Sequence, residues 1–142
     1  MHSAAAQVGA CGVPNRCCQA GLNKIEVLIN NDCWGAVAYA TVNSGPQRPV
    51  SYTAVMVLQP AGGGPATNYT TVKLPGLGLP TPASAASTSV CFKLRDSGST
   101  SCPTAKSLCG GGLAPGQCFV SLFNAAADCC PTSLVTAPMT SN

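Results

Sequence analysis

Few side chains in this 142-residue sequence are suited to acid–base or nucleophilic catalysis. The only histidine is His2, near the start of the chain. A glycosidase needs two carboxylates that face each other across the scissile bond, and a serine hydrolase needs a histidine beside its nucleophile. No two carboxylates form a local pair here, so the sequence predicts no catalytic residues and a protein that is not an enzyme. The four carboxylates are Glu26, Asp32, Asp96 and Asp128.

The ten cysteines point to disulfide bonds. An even number of cysteines in a short chain is typical of secreted domains that are cross-linked because their hydrophobic core is small. We therefore predict an extracellular, secreted protein in which every cysteine is bridged. The number of possible pairings leaves the connectivity open. The predicted disulfide cysteines are Cys11, Cys17, Cys18, Cys33, Cys91, Cys102, Cys109, Cys118, Cys129 and Cys130.

The cysteine spacing does not fit a metal site. The sequence contains no Cys-x2-Cys knuckle, and the adjacent pairs 17–18 and 129–130 have the wrong spacing for a zinc ribbon. A bridge within an adjacent pair would strain the disulfide geometry, so each member is expected to bond elsewhere in the fold. The sequence predicts no metal and no cofactor.

The charge pattern excludes two classes of partner. Charged residues make up 8% of the chain, and the net charge of +3 comes from seven scattered bases. Nucleic-acid-binding domains concentrate their bases in a run or patch, and a membrane-spanning helix needs about 18 consecutive apolar residues. We therefore predict no nucleic-acid binding and no membrane insertion. Five bases, if they cluster in space, would attract an anionic polysaccharide, and the other reading is a solvated surface. These are Lys24, Arg48, Lys73, Lys93 and Arg95.

Alternating apolar residues predict a β-rich fold. In residues 24–30, Ile25, Val27 and Ile29 fall on one face of a strand. Glycine- and proline-rich loops separate the strand candidates, a spacing that predicts an all-β fold, either an antiparallel sandwich or a small barrel. The further strand candidates are 36–43, 50–58, 69–74, 89–95 and 118–124.

One short helix is predicted near residues 103–109. Pro103 suits a first helical position, and Gly110 ends the helix. On such a helix Cys102 and Cys109 lie roughly 10 Å apart, beyond the reach of one disulfide, so they are expected to have different partners. The segment 79–88, with proline and small polar residues, is predicted to be an exposed loop without stable structure.

Two groups of side chains could be involved with carbohydrate, one as a glycan acceptor and one as a sugar-binding face. Asn68 begins an Asn-x-Thr acceptor for N-glycosylation, although an ordinary strand asparagine is the alternative. The aromatic residues Trp34, Tyr39, Tyr52 and Tyr69 could form a carbohydrate-binding face, because an aromatic ring packs on the apolar face of a pyranose. Trp34 follows Cys33, however, and a tryptophan against a disulfide in a β-core is the commoner arrangement, so we predict a core position for Trp34.

The ordered cysteines and their flanking residues resemble a known family. The matching pieces are Cys17-Cys18, Lys24-Ile25-Glu26, Cys33, Thr41-Val42-Asn43, Leu74, Leu77, Leu79, Cys91-Phe92-Lys93-Leu94, Cys102-Pro103, Leu108-Cys109, Cys118, Phe123 and Cys129-Cys130-Pro131. This set is similar to the second half of the pherophorin domain of green-alga matrix glycoproteins. The aromatic- and cysteine-bearing opening of that domain is reduced here to Cys11, and the hydroxyproline-rich rod of such proteins is absent from the sequence.

The resemblance implies a role as well as a fold. It implies a structural module of a secreted extracellular-matrix or cell-wall glycoprotein, which engages matrix glycoproteins or polysaccharides and has self-association as a further option. The alternative is a lectin-like domain that recognises a defined sugar. Residues 11–135 are expected to form the single domain, after an artificial start or linker at 1–10 and before a C-terminal tail at 136–142.

Overall fold

The computed structural model describes residues 2–4, 20–58, 62, 67–95, 102–109, 117–127 and 132–136. Most of these residues lie in β-strands. The elements are β1 (His2–Ala4), β2 (Lys24–Asn30), a 3₁₀ turn (Asn31–Cys33), β3 (Val37–Val42), β4 (Ser51–Leu58), β5 (Thr67–Leu74), α1 (Pro82–Ala86), β6 (Val90–Leu94), α2 (Ala105–Cys109), β7 (Gln117–Phe123) and β8 (Thr132–Thr136).

The strands form two antiparallel sheets. The smaller sheet has the order β1-β6-β3, and the larger sheet has the order β4-β5-β2-β7-β8. Strand β2 lies at the centre of the larger sheet and pairs with β5 on one side and β7 on the other. The described strands do not close into a barrel, so the prediction of an all-β antiparallel fold is confirmed in its sandwich-like form.

The core lies between the sheets and follows the alternation of β2. Ile25, Val27 and Ile29 are buried, as the sequence pattern predicts. They belong to one cluster with Val37 and Leu94 from the smaller sheet, so both sheets contribute to a single core. Burying such aliphatic side chains stabilises a fold by roughly 1.5–3 kcal/mol each relative to exposure.

The predicted loop at residues 79–88 contains a helix, so that prediction is wrong. Helix α1 spans Pro82–Ala86, with Thr81 as its N-cap. The Ser84 backbone N–H donates to Thr81 Oγ1 at 3.1 Å, and the Thr81 N–H donates to Ser84 Oγ at 3.1 Å. Proline at the first position and this reciprocal capping stabilise a short helix that composition alone did not reveal.

The helix predicted near residues 103–109 is present as α2, but it begins two residues after Pro103. Thr104 and Ser107 make the same reciprocal pair of hydrogen bonds, both of 3.1 Å, at its start. The threonine therefore caps the helix, and the proline lies outside it. Leu108 and Cys109 are buried at its end.

Two disulfides fasten the segment that carries α2. Cys33, after β2, bonds to Cys102, and Cys109, at the end of α2, bonds to Cys118 on β7. The expectation that Cys102 and Cys109 have different partners is confirmed. Of the other predicted disulfide cysteines, Cys11, Cys17, Cys18, Cys129 and Cys130 lie outside the described residues.

Cys91 differs from the prediction that it is bridged. It is a free, half-buried thiol on β6. Its neighbours in register are Ser3 on β1 and Thr41 on β3, so neither paired strand places a cysteine opposite it. The same pairing shows that residues 2–4 belong to a sheet, although the domain boundaries stay predictions. No helix in the described ranges is long and apolar enough to cross a membrane.

The two disulfides differ in the loop that they close, so their removal is expected to cost different amounts. The Cys33–Cys102 bond spans 69 residues and the Cys109–Cys118 bond spans 9. Loop-closure entropy predicts a loss of about 4 kcal/mol for Cys33→Ala/Cys102→Ala and about 3 kcal/mol for Cys109→Ala/Cys118→Ala. Urea unfolding followed by circular dichroism measures both. A larger loss for the short-loop pair would contradict this account.

Candidate functional site

Trp34 is exposed at the end of the 3₁₀ turn, so the prediction of a core position is wrong. Cys33 points inward to its disulfide and is buried, whereas the following side chain is 45% exposed. The Trp34 ring stacks on Tyr52, with ring centroids 5.3 Å apart and 28° between the ring planes. A large aromatic side chain on the surface is a candidate contact residue for a ligand.

The hydroxyl of Tyr52 fixes this stack to the smaller sheet. Tyr52 lies on β4, in the larger sheet, and its hydroxyl donates to Val37 O at 2.7 Å and accepts from Val37 N–H at 2.9 Å. The Arg95 N–H donates to Ala36 O, so the backbone groups of Val37 point away from β6. The Tyr52 hydroxyl therefore satisfies two edge groups of β3 that the sheet leaves unpaired.

A cation lies beside the aromatic stack. The Arg95 Nε–H donates to Gly35 O at 2.9 Å, and the Arg95 side chain is exposed. Gly35 has a φ of 84°, a left-handed conformation that a residue with a side chain adopts only with strain. This glycine turns the chain directly after Trp34 and presents its carbonyl to the guanidinium. We call Trp34, Tyr52 and Arg95 together the Trp34 surface.

The structure does not bring all four predicted sugar-binding aromatics together. Trp34 and Tyr52 are in contact, but Tyr69 is only 4% exposed and cannot present its ring to a ligand. Tyr39 is half-buried on β3, where its register partner is Lys93 on β6. The Trp34 surface therefore rests on two of the four aromatic side chains.

The five bases considered for an anionic ligand do not form one cluster. Lys24 and Lys73 both contact Glu26, with N–O distances of 2.9 and 3.4 Å. Lys24 Nζ also lies 3.9 Å from the centroid of the Phe123 ring. The Arg48 guanidinium donates to a backbone carbonyl, that of Gly76, at 3.2 Å. Glu26 thus offsets the two lysines of the larger sheet, whereas Lys93 lies on β6 of the smaller sheet, two residues before Arg95.

The described carboxylates lie at opposite ends of β2. Glu26 is held by two lysines, whereas Asp32 is exposed in the 3₁₀ turn. Four steps of extended chain and two of the 3₁₀ turn place them roughly 17 Å apart, too far for a catalytic pair. Asp96, Asp128 and the neighbourhood of His2 fall outside the part of the chain whose side chains are described. Across the described side chains, no group of three or more His, Cys, Asp or Glu could hold a metal ion.

The glycosylation motif 68–70 lies on β5, with its asparagine exposed and its threonine buried. The Asn68 side chain is exposed, whereas Thr70 is fully buried and its Oγ1 donates to Asn31 Oδ1 at 2.9 Å. A glycan on Asn68 would therefore project from the folded protein, although the threonine hydroxyl of the motif is inaccessible. Glycosylation at Asn68 stays a prediction.

A shallow depression of about 450 Å³ lies away from the Trp34 surface. Gly21 allows the close approach of two chain segments here, because a Cβ on it would lie 2.0 Å from Leu79 O. Asn23 Oδ1 accepts from the Gly78 N–H at 3.3 Å. The lining holds no ionisable group, so it offers no acid–base chemistry. It consists of residues 20–23, 78–80 and 124–126.

Burial of Tyr52 predicts a pH dependence. Burial raises the pKa of its hydroxyl above the usual 10.0, against smaller lowering effects of the Val37 backbone, the Arg95 charge and the Gly35 backbone. The folded state therefore binds the phenolic proton more tightly than the unfolded state does. The resulting stability is fully present below about pH 10 and is lost as pH rises through the folded pKa.

The difference in tyrosinate absorbance between the wild type and Tyr52→Phe isolates this titration. We expect the midpoint of the difference curve to lie above pH 10.0. A midpoint at or below that value would contradict the burial of the hydroxyl.

The exposure of Asn68 and the burial of Thr70 predict when a glycan can be added. We expect the Asn68→Gln variant of the secreted domain to be lighter than the wild type by the mass of one glycan. We also expect the purified, folded and unglycosylated domain to resist modification by an oligosaccharyltransferase. The reduced and unfolded chain is the matched control, and it should accept the glycan. Equal modification of the folded and unfolded chains, measured by intact mass, would show that the Thr70 hydroxyl is accessible.

Comparison with known proteins gives the family of the chain. The family model described as Pherophorin matches residues 2–131. The chain is 37% identical over 121 residues to a Volvox carteri protein named Perphorin-2, a match that covers 82% of this chain and 24% of that protein. It thus spans about a quarter of the length of this relative, and no solved structure matches it.

The match covers β1 to β7 and ends before β8, and it includes residues that lie before those on which the sequence resemblance rests. The family consists of structural extracellular-matrix glycoproteins. The chain belongs to the pherophorin family.

Proposed function

We propose that this domain is a non-enzymatic structural module of a secreted matrix glycoprotein, where it engages other matrix glycoproteins or polysaccharides. The observation that carries the proposal is the Pherophorin match over residues 2–131. The proposed location is the extracellular matrix or cell wall. Self-association is a further mode of engagement within the same role.

The covalent frame supports this role. One disulfide joins the segment just before α2 to the turn after β2, and another joins the end of α2 to β7; such bonds persist in oxidising compartments outside the cell. They reduce the conformational entropy of the unfolded chain and so raise the free energy of unfolding, which suits a domain that must stay folded outside the cell. A rigid domain can hold a binding surface in a fixed orientation, so binding costs little additional ordering.

A second candidate function is lectin-like recognition of a sugar at the Trp34 surface. The specific observation is that Trp34 is exposed while Tyr52 supports its ring from below. The outer side of the indole is an apolar plane with a donor N–H at its edge. A pyranose ring covers such a plane with its C–H groups and replaces water there, which supports weak but specific binding.

Retention on an insoluble green-alga matrix fraction tests the structural proposal. We expect the disulfide-intact domain to be retained, and to remain retained after its own glycan is removed. The control is the reduced, alkylated chain, which should lose retention because it loses the frame that holds the surface. Failure of the intact domain to bind the matrix would contradict the structural role.

Replacement of Trp34 separates the two candidates. In the lectin-like case, Trp34→Ala abolishes saturable binding to one sugar class on a glycan array, while Trp34→Phe keeps part of it because a smaller aromatic ring remains. Circular dichroism checks that both variants stay folded. Matrix retention that is unchanged in Trp34→Ala would support the structural module and contradict the lectin-like candidate.

A further inference from the structure

The Trp34 surface combines a flat aromatic ring with a fixed cation. We propose that it binds a saccharide carrying a carboxylate or sulfate group, with the sugar ring against Trp34 and the anionic group at the Arg95 guanidinium. This inference rests on the proposed binding of matrix polysaccharide and names the class of sugar that this surface selects. A planar carboxylate and a tetrahedral sulfate each present two oxygens that can accept two N–H bonds from one guanidinium.

The face of the Trp34 ring that is turned away from Tyr52 is open to a ligand. The stack with Tyr52 covers the inner part of the indole, and the side chain is nevertheless 45% exposed. Within the described part of the chain, Trp34 makes no side-chain hydrogen bond, so its indole N–H is available to a sugar hydroxyl. The backbone turn behind it is held by the Trp34 N–H, which donates to Asn31 O at 3.2 Å.

Arg95 is oriented before any ligand arrives. Its backbone N–H donates to Ala36 O at 2.7 Å and its Nε–H to Gly35 O at 2.9 Å, so the backbone and the inner nitrogen of the guanidinium are both anchored. Its two terminal nitrogens donate to no described residue and are free to bind an anion in a bidentate manner. Burial raises the pKa of the half-buried Tyr52 hydroxyl, and the Arg95 charge offsets part of that rise, in keeping with the position of Arg95 next to Gly35.

The surrounding charges favour an anion on balance. Lys93 lies two residues before Arg95 in extended chain, so the two side chains point to the same face of the smaller sheet. The opposing charge is Asp32, which is exposed two residues before Trp34 and forms no ion pair with a described residue. We expect Asp32→Asn to strengthen binding of an anionic sugar, because it removes repulsion.

An array of oligosaccharides in matched neutral, uronic-acid and sulfated forms tests the inference. We expect the wild type to bind at least one anionic form about tenfold more tightly than its neutral counterpart, and Arg95→Gln to remove that preference. Raising the salt from about 0.05 M to about 0.5 M should weaken only the anionic ligand. The form that binds better, uronic or sulfated, identifies the anionic group.

Lys24→Gln is the matched control, because it removes the same charge at the far end of β2. It should leave the affinity within about twofold. An equal loss in Lys24→Gln and Arg95→Gln, or anionic binding that is unchanged in Trp34→Ala, would overturn the inference in favour of unspecific attraction. If neutral and anionic sugars bind with equal affinity and Trp34→Ala abolishes both, the inference of anionic selectivity is overturned, while the lectin-like candidate stands. If the domain binds no sugar, both this inference and the lectin-like candidate are overturned, and the structural module is then judged by matrix retention alone.

Discussion

The hydroxyl of Tyr52 bridges the two sheets and supports the exposed tryptophan. It both donates to and accepts from the backbone of Val37, so one side chain of the larger sheet satisfies two groups at the edge of the smaller one. A buried backbone group without a partner costs about 1–3 kcal/mol, so these contacts constrain the position of Tyr52 closely. Because the ring of Tyr52 is fixed, the ring of Trp34 has a defined surface on which to stack.

Covalent bonds hold the other side of the same turn. Cys33, immediately before Trp34, is bonded to Cys102, and the Asn30 side-chain amide donates to Ser107 O at 2.9 Å. The turn is therefore fixed to α2, and α2 is fixed to β7 by the second disulfide. An exposed aromatic residue on such a frame loses little conformational entropy when it binds, which suits a module that contacts other matrix components.

Periodicity predicted the strands because burial follows it directly. The alternation of Ile25, Val27 and Ile29 is visible in the sequence and recurs as the buried face of β2. At the turn that follows β2, the sequence does not show which of two adjacent residues faces inward: Cys33 takes the buried position, and Trp34 is exposed. The helix at Pro82–Ala86 contradicts the loop that its small, proline-containing composition predicts, because Thr81 and Ser84 stand at the capping-box spacing and stabilise the first turn.

Other features depend on register and on contacts between sheets, which no local pattern contains. Lys73 contacts Glu26 rather than joining the other bases, because the register of β2 and β5 places these two residues opposite each other. The contact of Tyr52 with Val37 joins two separate sheets, and the approach of Arg95 to Gly35 joins residues 60 positions apart. Sequence reasoning therefore named Trp34, Tyr52 and Arg95 separately, but it could not show that they form one surface.

Quenching of the fluorescence of Trp34, the only tryptophan in the chain, tests the central claim most directly. An exposed indole beside a guanidinium should be quenched readily by neutral acrylamide. Compared with a free indole compound, it should be quenched relatively more by iodide and relatively less by caesium, because the cation attracts one ion and repels the other. In Arg95→Gln the difference between iodide and caesium should shrink. Emission of the native protein that no quencher reaches, together with a spectrum typical of a buried indole, would contradict the account.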